Sequence, residues 1–175
     1  MKIFETHAHY DDEAFDEDRE ELLEMLPQKG IAKVVNVGAS LSSCKRTIEL
    51  MNRYDYIYGA IGVHPNETAE LTEESFEWLR QQCQSEKCVA VGEIGLDYHY
   101  EDIPREIQQR AFRMQLELAR ELDLPVIVHE REAHEDGLKI ISEFPEVTGV
   151  FHCYSGSAEM AKLLVDRGWY IGFTG

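Results

Sequence analysis

The sequence predicts an α/β fold in which parallel strands alternate with helices. Short runs rich in β-formers alternate six times with longer amphipathic runs, and a seventh short run follows. Such alternation is typical of a parallel sheet with right-handed crossovers. Runs such as VAVGEIGL and PVIVH are almost continuously apolar, which indicates strands buried on both faces. In addition, most of the histidines stand where these short runs end.

The predicted elements follow one another in regular order. Strands are expected at Lys2–His7, Lys33–Val37, Ile57–Val63, Cys88–Ile94, Pro125–His129, Gly149–His152 and Trp169–Phe173. Helices are expected at Glu17–Leu26, at Ser42–Arg53, after Thr72, after Pro104, at Gly137–Phe144 and at Ala158–Arg167. The apolar stripe of the longest helix is predicted at Ile107, Ala111, Met114, Leu118 and Leu122. Thr72 and Ser157 suit cap positions, because their side chains can accept from exposed backbone N–H groups.

Two architectures fit this order, an open doubly wound sheet and a closed (β/α)8 barrel. A glycine-rich dinucleotide-binding motif does not follow the first strand, which disfavours the open sheet. The 175 residues fit a single domain spanning residues 1–175 and can bury a sizeable core.

The composition narrows the function. With 17 Lys and Arg against 34 Asp and Glu, the formal net charge is −17 at pH 7, which argues against broad electrostatic binding of nucleic acid. A bound metal cation would still supply positive charge at a local phosphate site. The sequence has neither a long uncharged apolar stretch nor a signal-peptide layout, so a cytoplasmic protein is expected. Its four cysteines are expected to be reduced and mostly packed, with Cys153 pointing away from His152.

Residues with metal-binding and acid–base chemistry gather at the predicted carboxyl ends of the strands. They are His7, His9, His64, Glu93, Asp97, His129, Arg131 and His152. In a barrel these ends open onto one face, which holds the active site. Because His7 and His9 are two residues apart on a strand, both point the same way.

Imidazoles together with a carboxylate are suitable ligands for zinc, manganese or a similar divalent ion. Glu93 lies in an apolar run, where an unpaired carboxylate would cost roughly several kcal/mol. It is therefore expected to face a cation and to bridge two ions. Asp97 is a weaker candidate. Arg131 is expected either to bind a phosphate through its planar fork or to pair with Glu130 or Glu132.

The motifs THAH, GVHP, VGEIGLDYHY, VIVHEREA, FHCYSG and IGFTG stand in this order along the chain. Together they resemble the TatD family of metal-dependent deoxyribonucleases, which are amidohydrolase-like TIM-barrel proteins. The resemblance covers essentially the whole chain. It implies a TIM (β/α)8-type barrel that hydrolyses phosphodiester bonds of DNA with a metal-activated water. It also implies two divalent ions (Zn, Mn or Mg), DNA as the substrate, and no membrane partner.

The resemblance assigns roles to individual residues. The implied metal ligands are His7, His9, Glu93, His129 and His152. Among them, Glu93 would bridge the two ions and act as the catalytic residue. The implied substrate contacts are His64 and Arg131.

Two features depart from the family pattern. Glu130 stands where the family usually has a serine, and it is expected to place negative charge beside His129. A full barrel needs about 250 residues, so the sequence predicts an incomplete one, with about six βα units plus strand seven and without the family's strand-eight aspartate. Three explanations stay open: a truncated sequence, a partner chain that completes the barrel, or a true fragment. The isolated chain is expected to be poorly stable as a monomer and weakly active or inactive.

Two other functions also stay open. One is an amidohydrolase or lactonase acting on a small molecule, which the acidic charge slightly favours. The other is an inactive metal-binding fragment.

Overall fold

Seven parallel strands form one sheet in the computed structural model, which describes residues 2–174. The strands are β1 (Ile3–Ala8), β2 (Ile31–Val37), β3 (Ile57–Ile61), β4 (Cys88–Asp97), β5 (Val126–Arg131), β6 (Gly149–His152) and β7 (Tyr170–Ile171). Each strand pairs only with its neighbours in sequence. A doubly wound sheet reverses its strand order at a switch point, so this order confirms the α/β barrel type, here as an incomplete, curled half-barrel.

Helices follow the strands as the sequence predicts. Within residues 2–174 the α-helices are α1 (Arg19–Met25), α2 (Leu41–Arg53), α3 (Glu73–Gln82), α4 (Arg105–Leu122), α5 (His134–Ile141) and α6 (Ala158–Asp166). The predicted caps are confirmed, because Thr72 Oγ1 accepts from Ser75 N at 3.1 Å and Ser157 Oγ from Met160 N at 3.1 Å. None of the described helices is both long and apolar enough to cross a bilayer.

Strands β4 and β5 extend further at their carboxyl ends than the sequence predicts, whereas β3 and β7 are shorter. Pairing of β4 with β5 continues through Gly95 opposite His129 and Asp97 opposite Arg131. Gly95 allows this close approach, because a Cβ added there would lie 2.0 Å from the carbonyl oxygen of His129. Asp97 therefore lies on a strand, directly beside the residues of the predicted site.

The main core lies between the sheet and its helices. Phe112 and Leu116 of α4 pack in one cluster with Ile94 of β4 and Phe151 of β6, and each is at most 1% exposed. The stripe predicted for α4 is confirmed only in part, because Ala111 and Leu118 are buried whereas Ile107 is 47% exposed. The buried face instead consists of Gln108, Ala111, Phe112, Gln115, Leu116, Leu118 and Ala119. Two glutamines thus replace apolar residues on this face.

Two expectations about single side chains are wrong. Glu130 does not place its charge beside His129, since neighbouring strand residues point to opposite faces. Its buried carboxylate turns toward α5, where it accepts from Ala133 N at 2.8 Å and contacts His134 Nδ1. This bonding explains why α5 begins at His134 rather than Gly137. Cys153 is exposed rather than packed, because it lies beyond β6 with a φ of 47°.

Candidate metal centre

The predicted ligands stand toward the carboxyl ends of four strands of the sheet, β1, β4, β5 and β6. His7 lies near the end of β1, Glu93 within β4, and His129 within β5. His129 pairs in register with His152, the last residue of β6. Since all strands run in parallel, these side chains come from the same end of the sheet.

His7, His9 and Glu93 form the first group of ligand atoms. His7 Nε2 lies 3.0 Å from His9 Nε2 and 3.6 Å from Glu93 Oε2, and His9 Nε2 lies 3.7 Å from the same oxygen. A circle through three atoms with these separations has a radius of about 2.0 Å, which matches zinc–nitrogen and zinc–oxygen bond lengths. The residues present therefore fit a divalent ion.

A contact behind the first group orients one of its two imidazoles. His9 Nδ1 lies 2.8 Å from the carbonyl oxygen of Val37. A carbonyl only accepts, so Nδ1 carries the proton and Nε2 keeps a lone pair directed at the group. His7 Nδ1 is buried and has no hydrogen-bond partner among the described residues. The position of the His7 ring is thus not set by that nitrogen, while its Nε2 faces the ligand group.

The second group shares Glu93. His129 Nδ1 lies 3.3 Å from Glu93 Oε1, the oxygen that does not face His7 and His9. His64, Glu93 and His129 each offer one ligand atom within 4.8 Å of the others. His129 Nε2 lies 3.0 Å from Asp97 Oδ2, which fixes the ring and leaves Nδ1 toward Glu93. The two oxygens of one buried carboxylate thus serve two groups, as a bridging ligand must.

The protonation equilibria at the centre follow from burial and from close charges. Burial raises the pKa of Glu93, but hydrogen bonds with His129 and His7 outweigh it and hold that pKa well below its ordinary value. Burial also lowers the pKa of His64 and of His152 to about 4. At neutral pH these two imidazoles are uncharged, which is the form that binds a metal.

The family model described as TatD related DNase matches residues 4–175 of the chain. The chain belongs to this family. YabD of Bacillus subtilis (strain 168), an uncharacterized metal-dependent hydrolase, is 41% identical over 175 residues, which cover 99% of this chain and 69% of YabD. The 3'-5' ssDNA/RNA exonuclease TatD of Salmonella typhimurium is 29% identical over 175 residues, covering 99% of this chain and 67% of that protein.

Solved structures agree with this assignment. The crystal structure of YjjV, a TatD homolog from Escherichia coli K12, matches with a TM-score of 0.88 and 34% identity, covering 97% of this chain and 66% of that chain. A TatD-family hydrolase from Entamoeba histolytica matches with a TM-score of 0.90 and 27% identity, covering 99% and 65% respectively. This TatD-family chain therefore spans about two thirds of the length of its relatives, and it belongs to a family of metal-dependent hydrolases.

Two predicted residues of this TatD-family site lie outside both ligand groups. The His152 ring stacks on His7, with centroids 3.4 Å apart and planes at 7°. Arg131 pairs with neither Glu130 nor Glu132, because within residues 2–174 no carboxylate lies within 4.0 Å of its guanidinium. Its guanidinium carbon instead lies 5.5 Å from the ring centroid of Tyr100.

Two glutamines of α4, which sequence reasoning missed, hold strand backbone behind the TatD site. Gln115 accepts from Val63 N at 2.8 Å and donates to Val63 O at 3.0 Å. Gln108 accepts from Asp97 N at 2.8 Å and donates to Asp97 O at 2.9 Å. They are seven residues apart, so they lie two turns apart on one helix face. Gln108 thereby fixes the main chain of Asp97, and Gln115 fixes that of Val63, which directly precedes His64.

A buried polar network holds the turn after β1. Asn36 Oδ1 accepts from Tyr10 N at 2.7 Å, and its Nδ2 donates to Asp11 Oδ1 at 2.8 Å and to Thr47 Oγ1 at 2.8 Å. Asp11 also accepts from Ser43 Oγ at 2.5 Å. Because Tyr10 follows His9 directly, this network fixes the backbone that carries a predicted ligand. In the sequence, the only indication of this network was Asp11, two residues after His9.

Proposed function

We propose that the chain is a hydrolase that cleaves phosphodiester bonds of DNA with divalent metal ions, as a TatD-type deoxyribonuclease. The single observation that carries the proposal is the pair of ligand groups joined by Glu93, with one carboxylate oxygen directed to each. Relatives named as 3'-5' ssDNA/RNA exonucleases support a nucleic-acid substrate. The proposed domain is the single hydrolase unit of residues 1–175, and cytoplasmic location stays a prediction.

The proposal distributes the ligands between two ions. His7, His9 and Glu93 would hold the first ion, while Glu93, His129 and His152 would hold the second. His64 and Arg131 would contact the substrate, although the proximity of His64 to Glu93 and His129 also suits it as a ligand. Zinc, manganese and magnesium are the candidate ions. Such ions supply Lewis-acid charge that activates water and offsets negative charge developing on phosphoryl oxygens.

The protein's own groups prepare this chemistry. Glu93 stays ionised because His129 and His7 lower its pKa, so it places negative charge between the two groups. Asp97 contacts His129 Nε2 at 3.0 Å and keeps Nδ1 directed at Glu93. The guanidinium of Arg131 has no carboxylate partner within 4.0 Å in the described part of the chain, so its N–H groups can bind a phosphate oxygen.

The test uses the 175-residue chain and a 5'-labelled single-stranded DNA, with manganese, zinc or magnesium and with EDTA as the metal-free control. We expect metal-dependent shortening of the labelled strand, and a stepwise ladder would indicate attack from the 3' end. Glu93→Gln keeps the size of the side chain but removes the bridging charge, so activity should fall at least a hundredfold. His134→Gln is the matched control, because His134 lies on α5, contacts Glu130 of β5 and stands outside both groups.

Results on other substrates separate the alternatives. Metal-dependent hydrolysis of ester or lactone substrates without DNA cleavage would contradict the proposal and favour an amidohydrolase or lactonase. Metal binding without turnover of either substrate class would favour an inactive metal-binding fragment. Equal DNA cleavage by the unmodified chain and Glu93→Gln would show that the activity does not come from this site.

A further inference from the structure

Tyr100, which is exposed, forms an aromatic and cationic pair with the half-buried Arg131, and the proposed hydrolysis gives Tyr100 no role. Tyr100 follows β4 and is 49% exposed. The guanidinium carbon of Arg131, the last residue of β5, lies 5.5 Å from the centroid of the Tyr100 ring. The His99 ring meets the Tyr100 ring edge-on, with centroids 4.9 Å apart. We call Tyr100 and Arg131 the rim pair.

The rim pair is tied to the candidate metal centre through Asp97. Asp97 and Arg131 are register partners on β4 and β5. One oxygen of Asp97 contacts His129 Nε2 at 3.0 Å, and the other accepts from His99 N at 3.0 Å. Tyr100 is three residues beyond Asp97, so their Cα atoms are at most about 11 Å apart. The rim pair therefore lies within reach of the part of a substrate that adjoins the reacting bond.

The chemistry of the rim pair suits a nucleotide. An exposed tyrosine ring can stack on any nucleobase, and an arginine adds cation–π and phosphate contacts. Glu132 could compete with a phosphate for Arg131, but its carboxylate already contacts His99. Its Oε1 lies 2.8 Å from His99 Nδ1. With a net charge of −17, the protein gains little affinity from diffuse attraction to the nucleic-acid backbone. Base stacking does not depend on the net charge of the protein, so it can supply affinity in spite of the acidic composition.

We propose that the rim pair is a subsite for single-stranded DNA, in which Tyr100 stacks on a base next to the cleaved phosphodiester and Arg131 binds the phosphate of that nucleotide. The inference rests on the proposed function and adds the residue that would hold the base, since relatives are already named as ssDNA/RNA exonucleases. Bases inside a duplex are already stacked and paired, so they do not offer a free face to Tyr100. The subsite therefore favours single strands over duplexes.

The test measures stacking directly and without turnover. A single-stranded oligonucleotide with 2-aminopurine at its 3' end is titrated with the chain in EDTA, and the fluorescence of the modified base is recorded. We expect quenching by the unmodified chain and by Tyr100→Phe. Tyr100→Ala should lose the quenching and bind about tenfold more weakly. Tyr170→Ala is the matched control, because Tyr170 is 74% exposed on β7 and its loss should change neither signal.

Arg131→Gln provides a second measurement. It should weaken binding and reduce the slope of affinity against salt concentration by about one ion, as the loss of one phosphate contact does. Quenching should persist at a saturating concentration of this variant, because the Tyr100 ring remains. An unchanged salt slope would contradict the assignment of Arg131.

The outcomes separate this inference from the proposed function. Quenching that depends on Tyr100, without metal-dependent cleavage, would support the subsite and contradict the hydrolase proposal. DNA cleavage with the same KM for the unmodified chain and Tyr100→Ala would support the hydrolase and overturn the subsite. Absence of quenching by the unmodified chain, or equal quenching by Tyr100→Ala, would also overturn it. Circular dichroism of Tyr100→Ala and Tyr100→Phe checks that both variants are folded.

Discussion

Replacing Gln115 by methionine should destabilise the chain and reveal how α4 holds the segment after β3 that carries His64. The substitution keeps helix propensity and side-chain length nearly constant. It removes both hydrogen bonds to Val63, at 2.8 and 3.0 Å. Since Gln115 is 1% exposed, water does not replace it easily. The N–H and C=O groups of Val63 are then left unpaired in the core.

The expected loss of stability follows from the unpaired N–H and C=O groups of Val63. Each unpaired buried polar group costs about 1–3 kcal/mol, and the more apolar methionine side chain offsets about 1 kcal/mol of the total. The free energy of unfolding should therefore fall by about 1–5 kcal/mol. The midpoint of urea unfolding in EDTA measures it, provided that the slope against urea concentration is unchanged.

A matched control is available on α3. Gln81 is exposed, and its side-chain amide makes one long contact, 3.4 Å to Glu77. Gln81→Met should change stability by less than about 0.5 kcal/mol. Equal urea midpoints for Gln115→Met and Gln81→Met would refute the reasoning, because they would show that the bonds to Val63 add nothing to stability. Manganese affinity should also fall in Gln115→Met but not in Gln81→Met, since Val63 sets the backbone position of His64.

Three further predictions follow from the same contacts. Asn36→Leu removes three hydrogen bonds, two of them buried and one partly buried, and should cost about 3 kcal/mol in urea unfolding. A loss below about 1 kcal/mol would argue against the network. Gly95→Ala would place a Cβ 2.0 Å from His129 O and should abolish a cooperative thermal melt. The control is Gly137→Ala inside α5, where the added Cβ would lie 3.4 Å from its nearest neighbour. That variant should stabilise the chain by about 0.5–1 kcal/mol. The pKa of His64 is lowered to about 4, so its contribution to stability is present above about pH 6.5 and is lost as the pH falls toward 4. The metal-free chain should therefore lose stability more steeply over that range than His64→Gln, and parallel pH curves would contradict this.

Much of the fold was readable from local pattern. Continuous apolar runs identified the strands, and the alternation with helices identified their parallel order, because both signals depend on residues close in sequence. The end of β4 was harder to predict. Asp97 belongs to that strand through its pairing with Arg131, and the sequence of β4 alone carries no signal for a partner on β5.

The candidate site was predictable in its location rather than in its contacts. Strand-end histidines converge because the carboxyl ends of parallel strands lie on one face. Predicting that His7, His64 and His129 lie near Glu93 therefore required only the assignment of the strands. Which oxygen of Glu93 faces which imidazole was not predictable. That arrangement depends on side-chain positions set by neighbouring strands.

The sequence by itself determined the order of strands and helices, the face that carries the chemistry, and the family resemblance that the comparisons confirm. Only the tertiary structure decided that Gln115 binds the main chain of Val63, 52 residues away, that Glu130 turns toward α5, and that Arg131 lies beside Tyr100. The physical reason is that local periodicity fixes which face a side chain occupies. The partner on that face is brought there by packing between segments that are distant in the chain.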